Sequence, residues 1–551
     1  MTQQLPALKF KTLKQYADWK LLLLLLLFLN VKLAIKIPAI ALIYLLQFDF
    51  RFGFRFKDPR LPLFYPLIIV IAIAGFIING KYTDADYNLV FITGIGFWLL
   101  CILAVHQVKL SVERNTTAVV HQTILVFFII NIIASLLNLA FIVLETHAFN
   151  PYTYQGQYQK YFISTGDFVK GITFDTSTTN AVLNAFGVIY FLIKKNMGMT
   201  LACMAILLLT GSNFTNVFIL AVLAFLFVFN STRDQKSVII ICVCFLVLFM
   251  AKISPQNNNY VMNTVKTAFY GREIISPWPK SQIPVTQRPD STLNPEEKRE
   301  KIATLYLDSI AALPINQVQR EKLPPGVPVT ATGRVVLPQA DVNSPSYQWL
   351  RTTPPEQKQL VDFVNTHEAD LPVSRTRKLS LVPGKVMGLL QTFNFYKHHP
   401  AKILTGDGVG NFSSKLAFRA TGLKFTGGYP QKYIYINPDF LSNHLDVYLS
   451  FFSQSAATHS LTNSPFSVYD QLLAEYGLLG LLALFIFYLG FFAKHYATLT
   501  YGIPAILLVM FLFFIDYWFE QLSIIIFFEL LLFLNIKEGK ELLTAKSTTA
   551  K

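Results

Sequence analysis

Residues 123–144 read TILVFFIINIIASLLNLAFIVL, twenty-two positions without one charged side chain. About twenty apolar residues in a helix suffice to cross the hydrocarbon core of a bilayer, so this stretch predicts a transmembrane helix. Upstream, similar runs lie near 20–31, 36–48, 62–79 and 87–105; downstream they lie near 179–194, 198–210, 215–229 and 237–253. After a long polar interval three more follow, near 476–494, 501–519 and 522–536. The fold expected is all-α: a polytopic membrane bundle of about twelve transmembrane helices. Several runs are shorter than a full crossing, which predicts broken or reentrant helices. The first two, with Lys32 and Lys36 between them, can also be read as one long tilted helix.

Composition agrees. Of 551 residues 53% are hydrophobic and only 14% charged, with a mean hydropathy of +0.44. A soluble chain carries roughly 25% charged residues, because its surface must face water. The formal charge of +15 raises the question of a nucleic-acid partner. Lys and Arg, however, sit mostly in short clusters between apolar runs, so the partner expected is the lipid bilayer, with no nucleic acid. Cys101, Cys203, Cys242 and Cys244 all lie in apolar segments and are read as packing residues without a disulfide. The opening lysines and the seven leucines Leu21–Leu27 resemble a signal peptide. No small-residue cleavage site follows, so a retained first span is expected.

The charges also fix an orientation. With a cytoplasmic N-terminus, inner connections carry Arg51, Arg55, Lys57 and Arg60, then Lys109 and Arg114, Lys194 and Lys195, Arg233 and Lys236, and Lys494. Opposite connections hold little beyond Lys81 with Asp84 and Asp86, Gly211-Ser212-Asn213, and Asp516 with Glu520. This alternation obeys the positive-inside rule except at Lys32 and Lys36, and it places both termini in the cytoplasm. The organisation expected is an N-terminal membrane region 1–253, a large periplasmic loop domain 254–475, C-terminal membrane helices 476–536 and a tail 537–551. The loop domain carries 22 Lys and Arg against 17 Asp and Glu, a net of +5, as suits an anionic lipid-linked substrate or an ordinary solvated surface. Residues 277–383, rich in proline and charge, read as an insertion; Asn294-Pro-Glu-Glu-Lys predicts a helix start there.

Three stretches carry chemical information. Gly384-Lys385-Val386 opens a predicted helix of about four turns ending near His398-His399-Pro400; a glycine-dense turn, Gly406-Asp-Gly408-Val-Gly410-Asn411-Phe412, follows it. Ser467-Val-Tyr-Asp-Gln-Leu-Leu-Ala-Glu475-Tyr-Gly477-Leu-Leu-Gly480 leads directly into an apolar run. Leu209-Thr-Gly-Ser212-Asn213 lies at the outer end of the seventh span. No zinc spacing, nucleotide fingerprint or Gly-x-Ser-x-Gly elbow is present.

The order of spans, the long outer loop late in the chain, the glycine-rich Gly-Asn-Phe stretch and Glu-x-Gly-x-x-Gly entering the next helix resemble the O-antigen ligase and polymerase superfamily. The resemblance covers 180–253 and 384–494 in motifs, and includes Asn180 at the start of the sixth span. It implies an inverting, metal-independent glycosyl transfer, without cofactor, at the outer face of the bacterial inner membrane. The implied donor is a glycan on undecaprenyl pyrophosphate; the implied acceptor is a hydroxyl of lipid A core, of another glycan or of a protein. Cations must await the departing diphosphate, and the acceptor hydroxyl needs a base.

On that resemblance the catalytic candidates are Lys385, Glu475, His459 and His444, and the substrate-binding candidates are Arg272, Arg419, Asn213, Ser212 and Asn411. No metal ligand is assigned. The chain departs from the family where Ser212-Asn213 replaces Ser-Arg, Gly384-Lys385 replaces Gly-Arg, and Phe466-Ser467 replaces His-Asn. His459 or His444 is then the substitute for the missing histidine. Each candidate also has a plainer role. Lys385 also reads as a solvent-facing lysine at the head of its helix, Arg272 and Arg419 as partners of lipid headgroups or a surface carboxylate, the histidines as polar surface, Glu475 as a cap of the loop helices or the partner of a nearby cation, and the glycines as packing and turn residues. Glu529, an acid within the last span, needs a partner inside the bundle. Two alternatives stay open: a family member without catalysis that serves glycan assembly or scaffolding, and a metal-dependent polyprenyl-phosphate-sugar transferase using Asp84 and Asp86.

Overall fold

The structure, a computed structural model, describes residues 16–30, 32–146, 149–153, 169–173, 176–254, 384–423, 433–452 and 464–549, with isolated positions between 286 and 371. Arg272, His459 and nearly all of the 277–383 insertion lie outside the described residues. Among the described residues the chain is all-helical and contains no strand.

The first helices are α1 (Trp19–Phe28), α2 (Leu33–Leu46), α3 (Phe64–Ile78), α4 (Ala85–Arg114), α5 (Thr117–Thr146), α6 (Ser177–Ile193), α7 (Met197–Leu209), α8 (Asn213–Phe229) and α9 (Arg233–Leu248). The polar interval contributes α10 (Gly384–His398), α11 (Lys415–Ala420), α12 (Pro438–Leu441) and α13 (His444–Phe452). The chain then forms α14 (Val468–Ala483), α15 (Gly502–Leu512), α16 (Trp518–Gln521) and α17 (Ser523–Thr549). The α14 path continues through a π-helical stretch, Leu484–Leu489, to Ala493. The first two apolar runs are two helices packed side by side, not one long helix.

Among the described residues four helical segments are long and apolar enough to cross a membrane: Ala85–Arg114, Thr117–Glu145, Arg233–Ile253 and Val468–Ala493. Seven shorter apolar helices accompany them. The described residues thus form a helical membrane protein by length and composition. Only 28% of the apolar window in α5 and 22% of that in α9 is buried, so both lie at the periphery. Ile129, Ile133, Leu137, Phe141 and Leu144 project outward from α5 at three- and four-residue spacing, one stripe of a helix presented to lipid. The axis of the bundle is α17, whose residues Ser523–Leu534 are at most 1% exposed.

Because lipid is as apolar as leucine, packing and internal hydrogen bonds must hold such helices together. Asn180 illustrates this: its amide donates to Ser135 Oγ (3.0 Å) and Val169 O (2.9 Å), and its Oδ1 accepts from Asn131 and Asn184 (both 2.9 Å). Glu529 on α17 accepts a hydrogen bond from Tyr65 of α3, the internal partner its position demands. Helix starts are capped locally, Asp18 for α1, Asp84 for α4 and a Thr232–Gln235 capping box for α9. Cys101, Cys203 and Cys242 are buried and free, whereas Cys244 faces outward rather than packing.

Candidate functional site

The glycine turn and the Glu-x-Gly-x-x-Gly stretch, read from the sequence as separate motifs, form one interlocked unit. Helix α14 breaks at Gly477 (φ 68°, ψ −167°), between a loop helix ending at Tyr476 and the apolar run beginning at Leu478. A break orphans the carbonyls before it and the amides after it. Here Ala474 O and Glu475 O accept from the amides of Asp407 (3.0 Å) and Gly408 (3.1 Å). The amides of Leu478 and Leu479 donate to Ile403 O (2.8 Å) and Leu404 O (3.2 Å). The turn thereby supplies partners to two carbonyls and two amides that the break withdraws from the helix, polar groups that would be costly to leave unpaired in apolar surroundings.

Two glycines make that approach possible. A Cβ on Gly477 would stand 2.3 Å from Leu404 O, and one on Gly406 (φ +74°) 2.4 Å from the Glu475 carbonyl carbon. The Glu475 side chain completes the lock: its carboxylate accepts from the amides of Gly410 (2.9 Å), Ser413 (3.2 Å) and Phe412 (3.3 Å). Successive amides around an anion form a nest, so Glu475 is held as an internal ligand of the turn. Asn411 is equally engaged, donating to Asp407 O (2.8 Å) and accepting from Tyr435 OH (3.0 Å).

Beside this unit lies a buried histidine–aspartate pair. His444, the first residue of α13, has Nε2 2.6 Å from Asp470 Oδ2, on the third residue of α14. Both side chains are enclosed, at 0% and 1% exposure. Thr392 Oγ1 of α10 donates to the other carboxylate oxygen at 2.7 Å. Gly388 lets α10 come this close, since a Cβ there would meet both Asp470 Oδ2 and His444 Nε2 at 3.3 Å. The Phe412 ring lies 4.7 Å from the imidazole, joining the pair to the glycine turn. With a carboxylate at Nε2, the proton belongs on that nitrogen and Nδ1 carries the lone pair. Among the described residues Nδ1 has no hydrogen-bond partner.

The cations are arranged less simply than the sequence suggests. Lys385 is half-buried in polar contact, its ammonium donating to Phe466 O (2.6 Å), Ile515 O (3.1 Å) and Ser464 Oγ (3.3 Å). It ties α10 to the segments flanking α14 and α15. Burial pushes its pKa down to about 7, against the opposing pull of Asp516 and Asp470. An unfolded lysine titrates near 10.4, so between about pH 7 and pH 10 the unfolded chain holds a proton the folded chain has released, and stability rises with pH. Thermal unfolding of wild type and Lys385→Gln across that range should show the wild type gaining on the variant as pH increases. A constant gap between the two curves would refute the depressed pKa.

Two other lysines flank the turn. Asp407, fully buried, receives Lys402 Nζ at 2.6 Å and Asn437 Nδ2 at 3.1 Å, and stands 3.8 Å from Lys81 Nζ. Burial lifts this carboxyl to about 6, although Lys81 and Lys402 draw it down. Lys402 also reaches Asp439 at 3.2 Å, and Lys81 and Lys402 both keep roughly a quarter of their side chains exposed, at 22% and 24%. Arg419 on α11 stands with Lys415 in the field of Glu520, whose carboxyl burial lifts to about 8, with Glu475 adding to the rise. Gln471 donates to Glu520 Oε1 at 2.6 Å.

Ser212 is buried at the start of α8, sharing a hydrogen bond with Thr215 Oγ1 at 2.9 Å; Asn213 is the first residue of that helix. Helix α8 packs on α15, with Phe218, near the start of α8, stacked on Phe511, near the end of α15, at 5.2 Å. That stack brings the start of α8, with Ser212 and Asn213, toward the end of α15, beyond which Ile515 accepts from Lys385. Asp84 is occupied as the cap of α4, accepting from Asp86 N (3.0 Å) and Tyr87 N (3.1 Å). Among the described residues no group of three or more His, Cys, Asp and Glu is placed to hold a metal ion.

Asp470, Lys402, Asp407 and Glu520 were not candidates from the sequence. Asp470 had a faint signal, an acid three residues after the helix-capping Ser467, but its partner is 26 positions away in the chain. What the fold and site define is a class, an all-helical membrane protein with a broken helix locked by a glycine turn beside a buried His–Asp pair. Compared with known proteins, the chain matches no family model, no curated sequence and no solved structure.

Proposed function

We propose that this protein transfers a glycan from undecaprenyl pyrophosphate to an acceptor hydroxyl at the periplasmic face of a bacterial inner membrane. It would do so as a bundle of about twelve spans with both termini in the cytoplasm. The observation that carries the proposal is the enclosed His444–Asp470 pair, whose Nδ1 lone pair has no partner among the described residues. Asp470 orients the imidazole, and Nδ1, itself enclosed in this structure, takes the proton of the acceptor hydroxyl in a conformation that opens the pocket to substrate. The hydroxyl oxygen forms a bond to the anomeric carbon from the face opposite the diphosphate. The carbon–oxygen bond to phosphate breaks, and undecaprenyl pyrophosphate leaves with the electron pair. Lys402 and Lys81, partly exposed beside the turn, are the cations assigned to receive the leaving charge, with Arg419 and Lys415 near Glu520 as a second pair. In this assignment Glu475 and Lys385 build the site rather than touch substrate.

A non-catalytic role in glycan assembly draws support from one feature: Lys385, where the resembling family carries arginine, spends its ammonium on internal acceptors. The deciding experiment is turnover by purified protein. With an undecaprenyl-pyrophosphate glycan donor, a hydroxyl acceptor and EDTA in excess, release of undecaprenyl pyrophosphate should be stoichiometric with new glycoside. Transfer that appears only on adding a divalent metal would replace this proposal with the metal-dependent class.

A further inference from the structure

At the other end of α4 from the glycine turn lies a second charged site, which the proposed reaction does not use. Tyr87, near the start of α4, lies against Gly408 of the turn, whereas Glu113 and Arg114 close the helix. A helix of 30 residues separates them by about 40 Å. Here Arg51, Arg55, Arg60 and Arg114, with Asp58 and Glu113, line a cleft of about 450 Å³.

The arginines are pre-set. Arg60 holds Glu113 through Nε (3.0 Å) and Nη2 (2.6 Å), and Asp49 holds both Arg51 (2.7 Å) and Arg114 (3.0 Å). Gly53 (φ +68°) turns the chain back so that its carbonyl accepts from Arg60 N at 3.1 Å. Arg55 is exposed and, among the described residues, makes no hydrogen bond or ion pair. Four guanidinium groups around one cleft, one of them uncommitted, form a receptor for phosphate oxygens.

The sequence beside the cleft says where that phosphate comes from. Residues 48–56 read FDFRFGFRF, with phenylalanine at every second position and Asp49, Arg51, Gly53 and Arg55 between. Phe48, Phe50 and Phe56 are 76%, 52% and 94% exposed, next to Leu45 at 83%. Phe52 is instead anchored on the buried His106, ring to ring at 4.7 Å. Large exposed apolar side chains next in sequence to the arginines of the cleft, at the end of the membrane-length α4, suit a ligand with an acyl part and an anionic head. A free phosphate would have no use for the phenylalanines.

We infer that this cleft seats the phosphate of an anionic phospholipid, with the acyl chains lying along Phe48, Phe50 and Phe56. Full-length protein in detergent, titrated with phosphatidylglycerol or phosphatidylcholine and followed by native mass spectrometry, tests it. Phosphatidylglycerol should bind about tenfold more tightly, and Arg55→Ala should weaken it about fivefold, the effect of one lipid-facing charge. Because Arg55 has no partner to lose among the described residues, the variant should keep the wild-type melting temperature. Equal affinity for the two lipids, or an unchanged affinity in both Arg55→Ala and Arg55→Glu, would overturn the inference. Displacement of phosphatidylglycerol by millimolar glycerol 3-phosphate would also overturn it, by identifying a water-soluble ligand.

Discussion

Asp470→Asn should lower the rate of glycan transfer about a thousandfold while leaving the protein folded. The substitution keeps the size of the side chain and its contact with Thr392. Its amide, however, can donate to His444 Nε2, which would move the imidazole proton to Nδ1 and extinguish the base. His444→Ala should cost about as much, and the double variant little more, since two residues acting as one unit do not add. Initial rates of undecaprenyl pyrophosphate release, alongside melting temperatures, check this. Near wild-type transfer by Asp470→Asn would reduce the pair to a packing contact and remove the central support for the proposed reaction.

Gly477→Ala should destabilise the protein by at least about 3 kcal/mol, combining a strained backbone with lost hydrogen bonds. Its backbone lies in a region essentially confined to glycine, and the added methyl would stand 2.3 Å from Leu404 O. Moving that carbonyl pulls apart the four hydrogen bonds that bridge the helix break. Gly96→Ala, inside α4 with nothing within 4 Å of its Cβ, is the control. It should be neutral or stabilise by up to about 1 kcal/mol. Equal melting temperatures for the two variants would mean that the break tolerates a side chain and that the turn does not lock it.

The membrane character was legible because hydropathy is local: a run such as 123–144 announces itself without any knowledge of neighbours. Helix α10 was legible for a similar reason, and it spans Gly384–His398 with Pro400 just beyond. The glycine turn and the stretch around Glu475 were visible as motifs, but their interlock was not. Which carbonyl accepts which amide across about seventy residues is a property of the folded backbone. Lys385 shows the same limit: a lysine at the head of a helix reads as a free cation until the carbonyls of Phe466 and Ile515 are seen to close on it. Asp470 and Glu520 escaped notice because an isolated acid near an apolar run resembles a cap or an orientation signal. Only the proximity of His444 to one, and of Arg419 and Lys415 to the other, distinguishes them.

The enclosed position of α17 sets an order on biogenesis. This helix leaves the ribosome after every other described segment, yet α4, α5, α6 and α15 all pack around it. Until it arrives they form a shell around an unfilled axis, exposing to the translocon and its neighbours the faces that later grip Ile524–Leu534. Nascent chains stalled before Ser523 should therefore be the form that quality-control proteases meet.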